Sequence, residues 1–210
     1  SNETEDYITV PEGVAHFLEH KLFENENGVD AFELFAKTGA SANAFTSFDR
    51  TCYEFTCTDH FEESLEVLLN FVQSPYFTEK TVQKEQGIIG QEIRMLQDRP
   101  GWRVLFNLLN ALYQNHPVKV DIGGTVESIA QITPELLYRC YRTFYHPNNM
   151  VLAVAGNFDY QKAIEIVEKC IKPGDEAIQA DSKMPEEPRE VAQKKISDKL
   201  EVAVPLFNIG

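Results

Sequence analysis

Apolar residues recur at intervals of three and four over much of the chain, which is the spacing of one face of an α-helix. The first such stretch begins near residue 13. Further helices are predicted over about 29–38, 59–74, 78–96, 101–115, 133–145 and 159–171. The chain is therefore predicted to be rich in helices.

The ends of these helices carry recognisable signals. Asp59 and Thr78 stand where N-caps are expected, Pro134 opens a first turn, and Gly39 follows a last one. Thr81 occupies the position at which a capping box has glutamate, so the cap at Thr78 is predicted to be partial.

Strand patterns occupy fewer residues. Residues 40–46 and 51–58 alternate between polar and apolar positions, and the polar residues 47–50 between them predict a hairpin turn. Residues 150–156 form a continuous apolar run, which is typical of a central strand covered on both faces. Residues 199–209 are also predicted to form a strand. We therefore expect an α+β fold, with a mostly antiparallel sheet and helices packed mainly on one face.

A change in composition suggests how the chain is divided. Residues 172–195 are rich in proline, glutamate, lysine and aspartate, which is typical of a linker. We predict one domain over residues 1–171 and the start of another domain, or a returning strand, over residues 196–210. The chain starts with Ser-Asn and not with methionine. We therefore expect that the natural N-terminus is missing.

The charge and the cysteines narrow the possible partners and compartment. The net charge of the 210 residues is -14, whereas nucleic acids and anionic membranes are bound by basic residues. We therefore expect neither as a partner. Cysteine pairs spaced as in C-x-x-C are absent from the sequence, so a thiolate metal site is not indicated. Small packing thiols in a reducing compartment are the expected roles for Cys52, Cys57, Cys140 and Cys170.

The first predicted helix carries the strongest chemical signal. His16, Glu19 and His20 are spaced i, i+3 and i+4, so they share one helical face among apolar neighbours. Two imidazoles one turn apart can bind one zinc ion, and a carboxylate beside them can take a proton from metal-bound water. This is the H-x-x-E-H order of the inverzincins. Two ordinary histidines on an amphipathic helix are the simpler alternative.

A third metal ligand has to come from another part of the chain, because a catalytic zinc site usually has three protein ligands. Glu85 and Glu92 are seven residues apart on an otherwise apolar face, which nominates Glu92 as the ligand. Glu85 could then hold a metal-binding histidine in position without binding the metal itself. A solvated acidic stripe is the alternative interpretation.

The small, polar strand that begins at Ser41 could lie at a sheet edge and offer free backbone groups to an extended peptide. On the residues alone, an ordinary hairpin explains this stretch equally well.

Taken in order, several stretches resemble the family of zinc metallopeptidases that includes insulinase, pitrilysin and the mitochondrial processing peptidase. The matching stretches are residues 16–20, 39–47, 141–145 and 150–157, with Glu85 and Glu92 between them. The sequence is most similar to the bacterial branch that resembles processing peptidases. This branch implies a cytoplasmic bacterial protein, often encoded beside a catalytically inactive sister subunit.

The resemblance implies a role for each candidate residue. His16, His20 and Glu92 would bind Zn²⁺, Glu19 would be the general base that activates the zinc-bound water, and Glu85 would support the site from behind.

The resemblance also implies how an extended peptide or small protein would bind. An edge strand would pair with it, and the residues concerned are Asn43, Ala44 and Phe45. Members of this family begin with further strands before the zinc helix, so the resemblance implies a fragment of a longer chain that lacks its N-terminal strands. Later domains of the family supply an arginine and a tyrosine to the substrate. A chain of this length is therefore expected to bind zinc but to cleave peptides weakly on its own.

Three functions remain open. A zinc-dependent endopeptidase domain explains all of the candidate residues. A non-catalytic peptide-binding or scaffold subunit of a processing-peptidase-like heterodimer would keep the fold, but it would not need the intact H-x-x-E-H motif together with Glu92. A purely structural zinc site is the third, although such sites usually have four protein ligands.

Overall fold

Eight α-helices and one antiparallel pair of strands make up the part of the chain that the computed structural model describes, residues 9–172, 174 and 184–210. The strands are β1 (Ser41–Thr46) and β2 (Thr51–Thr56). The helices are α1 (Val14–Leu22), α2 (Ala31–Thr38), α3 (Phe61–Val72), α4 (Glu79–Gln97), α5 (Pro100–Leu112), α6 (Val126–Ile129), α7 (Pro134–Phe144) and α8 (Tyr160–Cys170). Two single turns of 3₁₀-helix lie at Pro117–Lys119 and Pro147–Asn149.

The predicted end signals are mostly confirmed. Gly39 ends α2 in the left-handed region, with a φ of 74° that glycine adopts without strain. At the start of α4, Thr78 and Thr81 each bond the other's backbone N–H, so the box is complete and not partial. The prediction for Asp59 is wrong. His60 occupies the N-cap position of α3, and the Asp59 carboxylate accepts the N–H of His60 instead.

The hairpin places one face of the sheet on the helices. Ser41 pairs with Thr56 and Thr46 with Thr51, and the turn closes through the Ser47 N–H and the Arg50 carbonyl at 2.8 Å. The inner face carries the alternating side chains of Ala42, Ala44, Tyr53 and Phe55, which pack on the core. The antiparallel sheet with helices on one face confirms the predicted α+β class.

Two groups of apolar side chains form the interior. The larger group joins α1, α2, α4 and α7 beneath the hairpin through fully buried residues such as Phe17, Leu22, Phe35, Ile89 and Leu137. The smaller group joins α3 to α8 and contains Leu65, Ala163, Ile166 and Cys170. Because α1 and α4 both contribute to the larger group, their polar faces are held close together.

Two predicted strands are not found. Residues 151–155 have no regular structure, and Val151 is 95% exposed where a doubly covered strand was expected. Residues 199–209 likewise contain no strand. A strand needs a neighbour that takes its backbone hydrogen bonds. Among the described residues, the sheet consists of β1 and β2 alone.

The predicted linker is described only in part, because residues 173 and 175–183 lie outside the described residues, as do residues 1–8. Residues 192 and 193 bond through their N–H groups to the carbonyls of Leu112 and Ala111 at the end of α5. The proposed domain boundaries stay predictions.

The four cysteines are free thiols, of which Cys140 and Cys170 are buried. Cys57 lies one residue beyond the end of β2, and not within the strand as predicted. Within the described part of the chain, we find no helix with the length and apolar character needed to cross a membrane.

Candidate metal centre

Helix α1 carries the first three candidate residues into the interior. Its N-terminus begins after Gly13, whose φ of 87° lets the chain turn into the helix. The i, i+3, i+4 spacing then directs His16, Glu19 and His20 to one side. The side chains of His16 and His20 are 14% and 26% exposed, and Glu19 is buried with 8% exposure. Polar groups held this deep need partners.

Helix α4 supplies the facing carboxylate. Nε2 of His16 lies 3.8 Å from Oε1 of Glu92, and Nε2 of His20 lies 3.5 Å from Oε2 of Glu92. One potential ligand atom from each of the three residues lies within 4.8 Å of the others. In the described part of the chain, this is the one group of at least three histidine, cysteine or carboxylate side chains that could hold a metal ion.

The donor set fits zinc. Two imidazoles and one carboxylate are the ligands of many catalytic zinc sites, which leave a further position open. Nδ1 of His16 is buried and has no hydrogen-bond partner among the described residues. Burial, and after it the charge of His20, lowers the pKa of His16. His16 is therefore held in the neutral form, which is the form that binds metals.

Glu85 lies behind His20. Its Oε1 is 3.0 Å from Nδ1 of His20, so the opposite ring nitrogen points to Glu92. Burial alone would lower the pKa of His20, but the hydrogen bond with Glu85 raises it overall. Burial likewise opposes ionisation of Glu85, and the bond with His20 lowers the pKa of Glu85. A carboxylate bonded to the outer nitrogen of an imidazole fixes the ring for metal binding.

The Glu19 carboxylate has a partner that sequence reasoning missed. Oγ1 of Thr46 donates a hydrogen bond to Oε2 of Glu19 at 2.6 Å. Strand alternation offered a signal, because Thr46 follows Ala42 and Ala44 on the inner face of β1. The 27 positions between Thr46 and Glu19 exceed any local spacing rule.

A cavity of about 330 Å³ opens over these groups. His16, Glu19, His20 and Glu92 line it together with Ala44 and Phe45 of β1. Asn43 is not among the lining residues, and its amide nitrogen lies 3.4 Å from Oε1 of Glu54 on β2. The predicted substrate strand therefore borders the cavity at two of its three candidate residues.

The far wall of the cavity comes from residues that were not predicted. It consists of Leu96, Trp102, Ile122 and Gly123. The indole N–H of Trp102 donates to Oδ2 of Asp121 at 2.7 Å, which ties α5 to the loop before α6. A sequence pattern offers little warning of this wall, because its residues come from separate elements.

This combination of an α+β fold, an H-x-x-E-H helix and a facing glutamate has the ligand arrangement of the inverzincin class of metallopeptidases. The sequence profile of the insulinase family (peptidase family M16) matches residues 4–126. The chain belongs to this family. The profile of the M16 inactive domain matches residues 131–205.

Two relatives are named as uncharacterized zinc proteases. The chain is 58% identical over 162 residues to the zinc protease YmfH of Bacillus subtilis, covering 77% of this chain and 38% of that protein. It is 35% identical over 161 residues to the zinc protease YmxG of the same organism, covering 75% of this chain and 39% of that protein. The chain thus spans about two fifths of the length of these relatives.

A solved structure has the same fold. It is that of an M16-like peptidase from Alicyclobacillus acidocaldarius, with a TM-score of 0.87 and 45% sequence identity. The match covers 91% of this chain and 46% of that one. The resemblance inferred from the sequence motifs is therefore confirmed at the level of family and fold.

Proposed function

We propose that this chain is the zinc-binding domain of an endopeptidase that hydrolyses peptide bonds. One observation carries the proposal: three potential ligand atoms of His16, His20 and Glu92 converge, and the Glu19 carboxylate opens into the same cavity. The names of the relatives support zinc as the metal.

His16, His20 and Glu92 would hold the ion, with Glu85 fixing the ring of His20. When bound, Zn²⁺ would act as a Lewis acid that polarises the peptide carbonyl and makes water acidic enough to attack it. Glu19 is the one acidic group of the motif that the ligand set does not use. Its carboxylate would accept a proton and later return it to the leaving amine.

The substrate would lie along β1 in an extended conformation. One side of β1 pairs with β2, and no described residue pairs with its other side. A peptide could therefore add as a further strand beside Ala44 and Phe45, which border the cavity. Asn43 does not line the cavity, and we propose that it contacts the bound peptide beside the cavity.

The chain spans about two fifths of the length of these relatives, which supports a further part of the proposal. We propose that a sister subunit, or a second half of the same family, completes the substrate site, and that the isolated chain therefore cleaves peptides weakly. We also propose that the protein acts in the bacterial cytoplasm.

A non-catalytic, peptide-binding subunit is the second candidate. The match of residues 131–205 to the M16 inactive domain is the observation behind it, although these residues lie outside the part of the chain that carries His16, Glu19 and His20. The two candidates differ at Glu19, which is needed for hydrolysis but not for binding a peptide or a metal ion.

The test is zinc content beside peptide cleavage. We expect about one zinc per chain by metal analysis, as one three-ligand site requires, and its loss in His16→Ala and Glu92→Ala. Glu19→Gln should keep the zinc and lose the cleavage of a fluorogenic peptide, measured at high enzyme concentration. Cleavage that survives in Glu19→Gln would contradict the catalytic assignment. Zinc binding without any cleavage in the parent would favour the binding subunit.

A further inference from the structure

A row of hydroxyl groups leads away from Glu19 into the protein. Oγ1 of Thr46 lies 2.6 Å from Oε2 of Glu19 and 3.2 Å from Oγ1 of Thr51. The row therefore joins α1 to both strands of the hairpin.

Counting protons gives the row one direction. An ionised carboxylate only accepts, so Thr46 must give its single hydroxyl proton to Glu19. The bond between the two threonines is then donated by Thr51, whose own proton is used in turn.

We propose that Thr46 is a positioning residue that holds the Glu19 carboxylate for proton transfer, and that the Thr51 hydroxyl holds Thr46. This inference rests on the proposed function, in which Glu19 is the proton acceptor. Thr46 engages Oε2, so Oε1 is the oxygen with which Glu19 takes up a proton. A carboxylate on a long side chain has several rotamers, and the bond from Thr46 selects one of them.

The catalytic test compares Thr46→Val with Thr46→Ser in the full chain loaded with zinc. Valine keeps the shape and removes the hydroxyl, whereas serine keeps the hydroxyl. We expect Thr46→Val to lose about 10- to 100-fold in kcat, the range for a misplaced catalytic group, with KM changed less than about twofold. Thr46→Ser should restore most of kcat. Zinc content should stay at the parent's level in both variants.

Two further variants test whether the loss of kcat depends on where the threonine lies in the row or follows from replacing any threonine of the hairpin. Thr51→Val should lose less kcat than Thr46→Val, because it acts through Thr46. Thr56→Val lies on the exposed face of the same hairpin and should behave like the parent. The inference is overturned if Thr46→Val keeps the parent's kcat, or if Thr46→Ser is as slow as Thr46→Val.

A second measurement does not depend on catalysis. Thermal unfolding of the metal-free chain is followed for Thr46→Val, for Glu19→Leu and for the double variant. Thr46→Val should lower the midpoint by about 2–4 °C, the shift expected for one lost hydrogen bond in a chain of this size. The shift should be clearly smaller in the Glu19→Leu background. Equal shifts in both backgrounds would show that the two side chains are not coupled.

The outcomes distinguish the inference from the function on which it rests. A parent that neither binds zinc nor cleaves peptide contradicts the proposed function, and the catalytic role of Thr46 falls with it. A parent that binds zinc and cleaves peptide, beside an unimpaired Thr46→Val, contradicts the inference alone.

Discussion

A Cβ atom placed on Gly13 would lie 2.4 Å from the carbonyl oxygen of Gly123. The contact is repeated from the other side, because a Cβ on Gly124 would lie 2.4 Å from the carbonyl oxygen of Glu12. Oγ of Ser128 also donates to that oxygen at 2.8 Å. The backbone just before α1 is thus packed directly against the loop that forms part of the cavity wall.

This packing predicts that Gly13→Ala is strongly destabilising. Alanine at a φ of 87° costs about 1–2 kcal/mol in any surroundings, and the clash with backbone adds about 1–3 kcal/mol. Gly28→Ala is the matched control, since its φ is 75° and no other atom lies within 4 Å of the added carbon. Urea unfolding measures both variants. Equal losses of stability at the two positions would contradict the close contact.

The contact between His20 and Glu85 predicts a graded loss of zinc affinity. Glu85→Gln keeps an oxygen that can accept from Nδ1, whereas Glu85→Leu removes both the charge and the acceptor. We expect the affinity to fall about 10-fold in the first and about 100-fold in the second, with one zinc still bound at saturation. Competition with a chelating dye measures this.

Glu168→Gln is the control for charge alone, because Glu168 is exposed on α8. Unchanged affinity in Glu85→Leu would contradict an orienting role for Glu85.

Helix periodicity explains why most of the candidate site could be predicted. His16, Glu19 and His20 are set by the spacing of one helix, and Glu85 and Glu92 by that of another. Periodicity does not say which helices face each other, so the pairing of α1 with α4 was inferred from the need for a third ligand and was supported by the family resemblance. The Thr46 contact could not be predicted, because nothing local relates residues 27 positions apart.

The apolar run at residues 150–156 shows where pattern reasoning fails. Its hydrophobicity predicts burial, but a strand also needs a neighbour that takes its hydrogen bonds. That neighbour must come from another part of the fold, and none of the described residues provides it. Helices were predicted more reliably because their hydrogen bonds lie within the segment itself.

Tyr141 predicts a loss of stability at alkaline pH. Its hydroxyl donates to the carbonyl of Val72 at 2.8 Å, and burial, followed by the charge of Tyr145, raises its pKa from 10.0 to about 12. The unfolded chain would ionise this group near 10. Its contribution to stability is therefore complete below that pH and is lost as the pH rises toward 12.

Urea unfolding at a series of alkaline pH values tests this. The free energy of unfolding should fall less steeply with pH in Tyr141→Phe than in the parent. Tyr160→Phe is the matched control, because Tyr160 is 71% exposed, and it should keep the parent's slope. An unchanged slope in Tyr141→Phe would show that this hydroxyl is not the titrating group.

One carboxylate joins the segment after residue 183 to the backbone that follows α5. The Glu187 carboxylate accepts the backbone N–H groups of Gln114, Asn115 and His116 at 2.6 to 2.8 Å, just beyond the end of α5. Burial alone would raise the pKa of Glu187, but these three donors lower it overall. An ionised carboxylate that accepts hydrogen bonds from three N–H groups fixes this segment beside the helix.

Removing that charge should release the segment. We expect trypsin to cut after the exposed Lys194 and Lys195 several-fold faster in Glu187→Gln than in the parent, because local opening precedes cleavage. Glu186→Gln removes the same charge from the neighbouring residue and should leave the rate unchanged. If both variants are cut at the same rate, net charge governs cleavage and the three backbone bonds do not hold the segment.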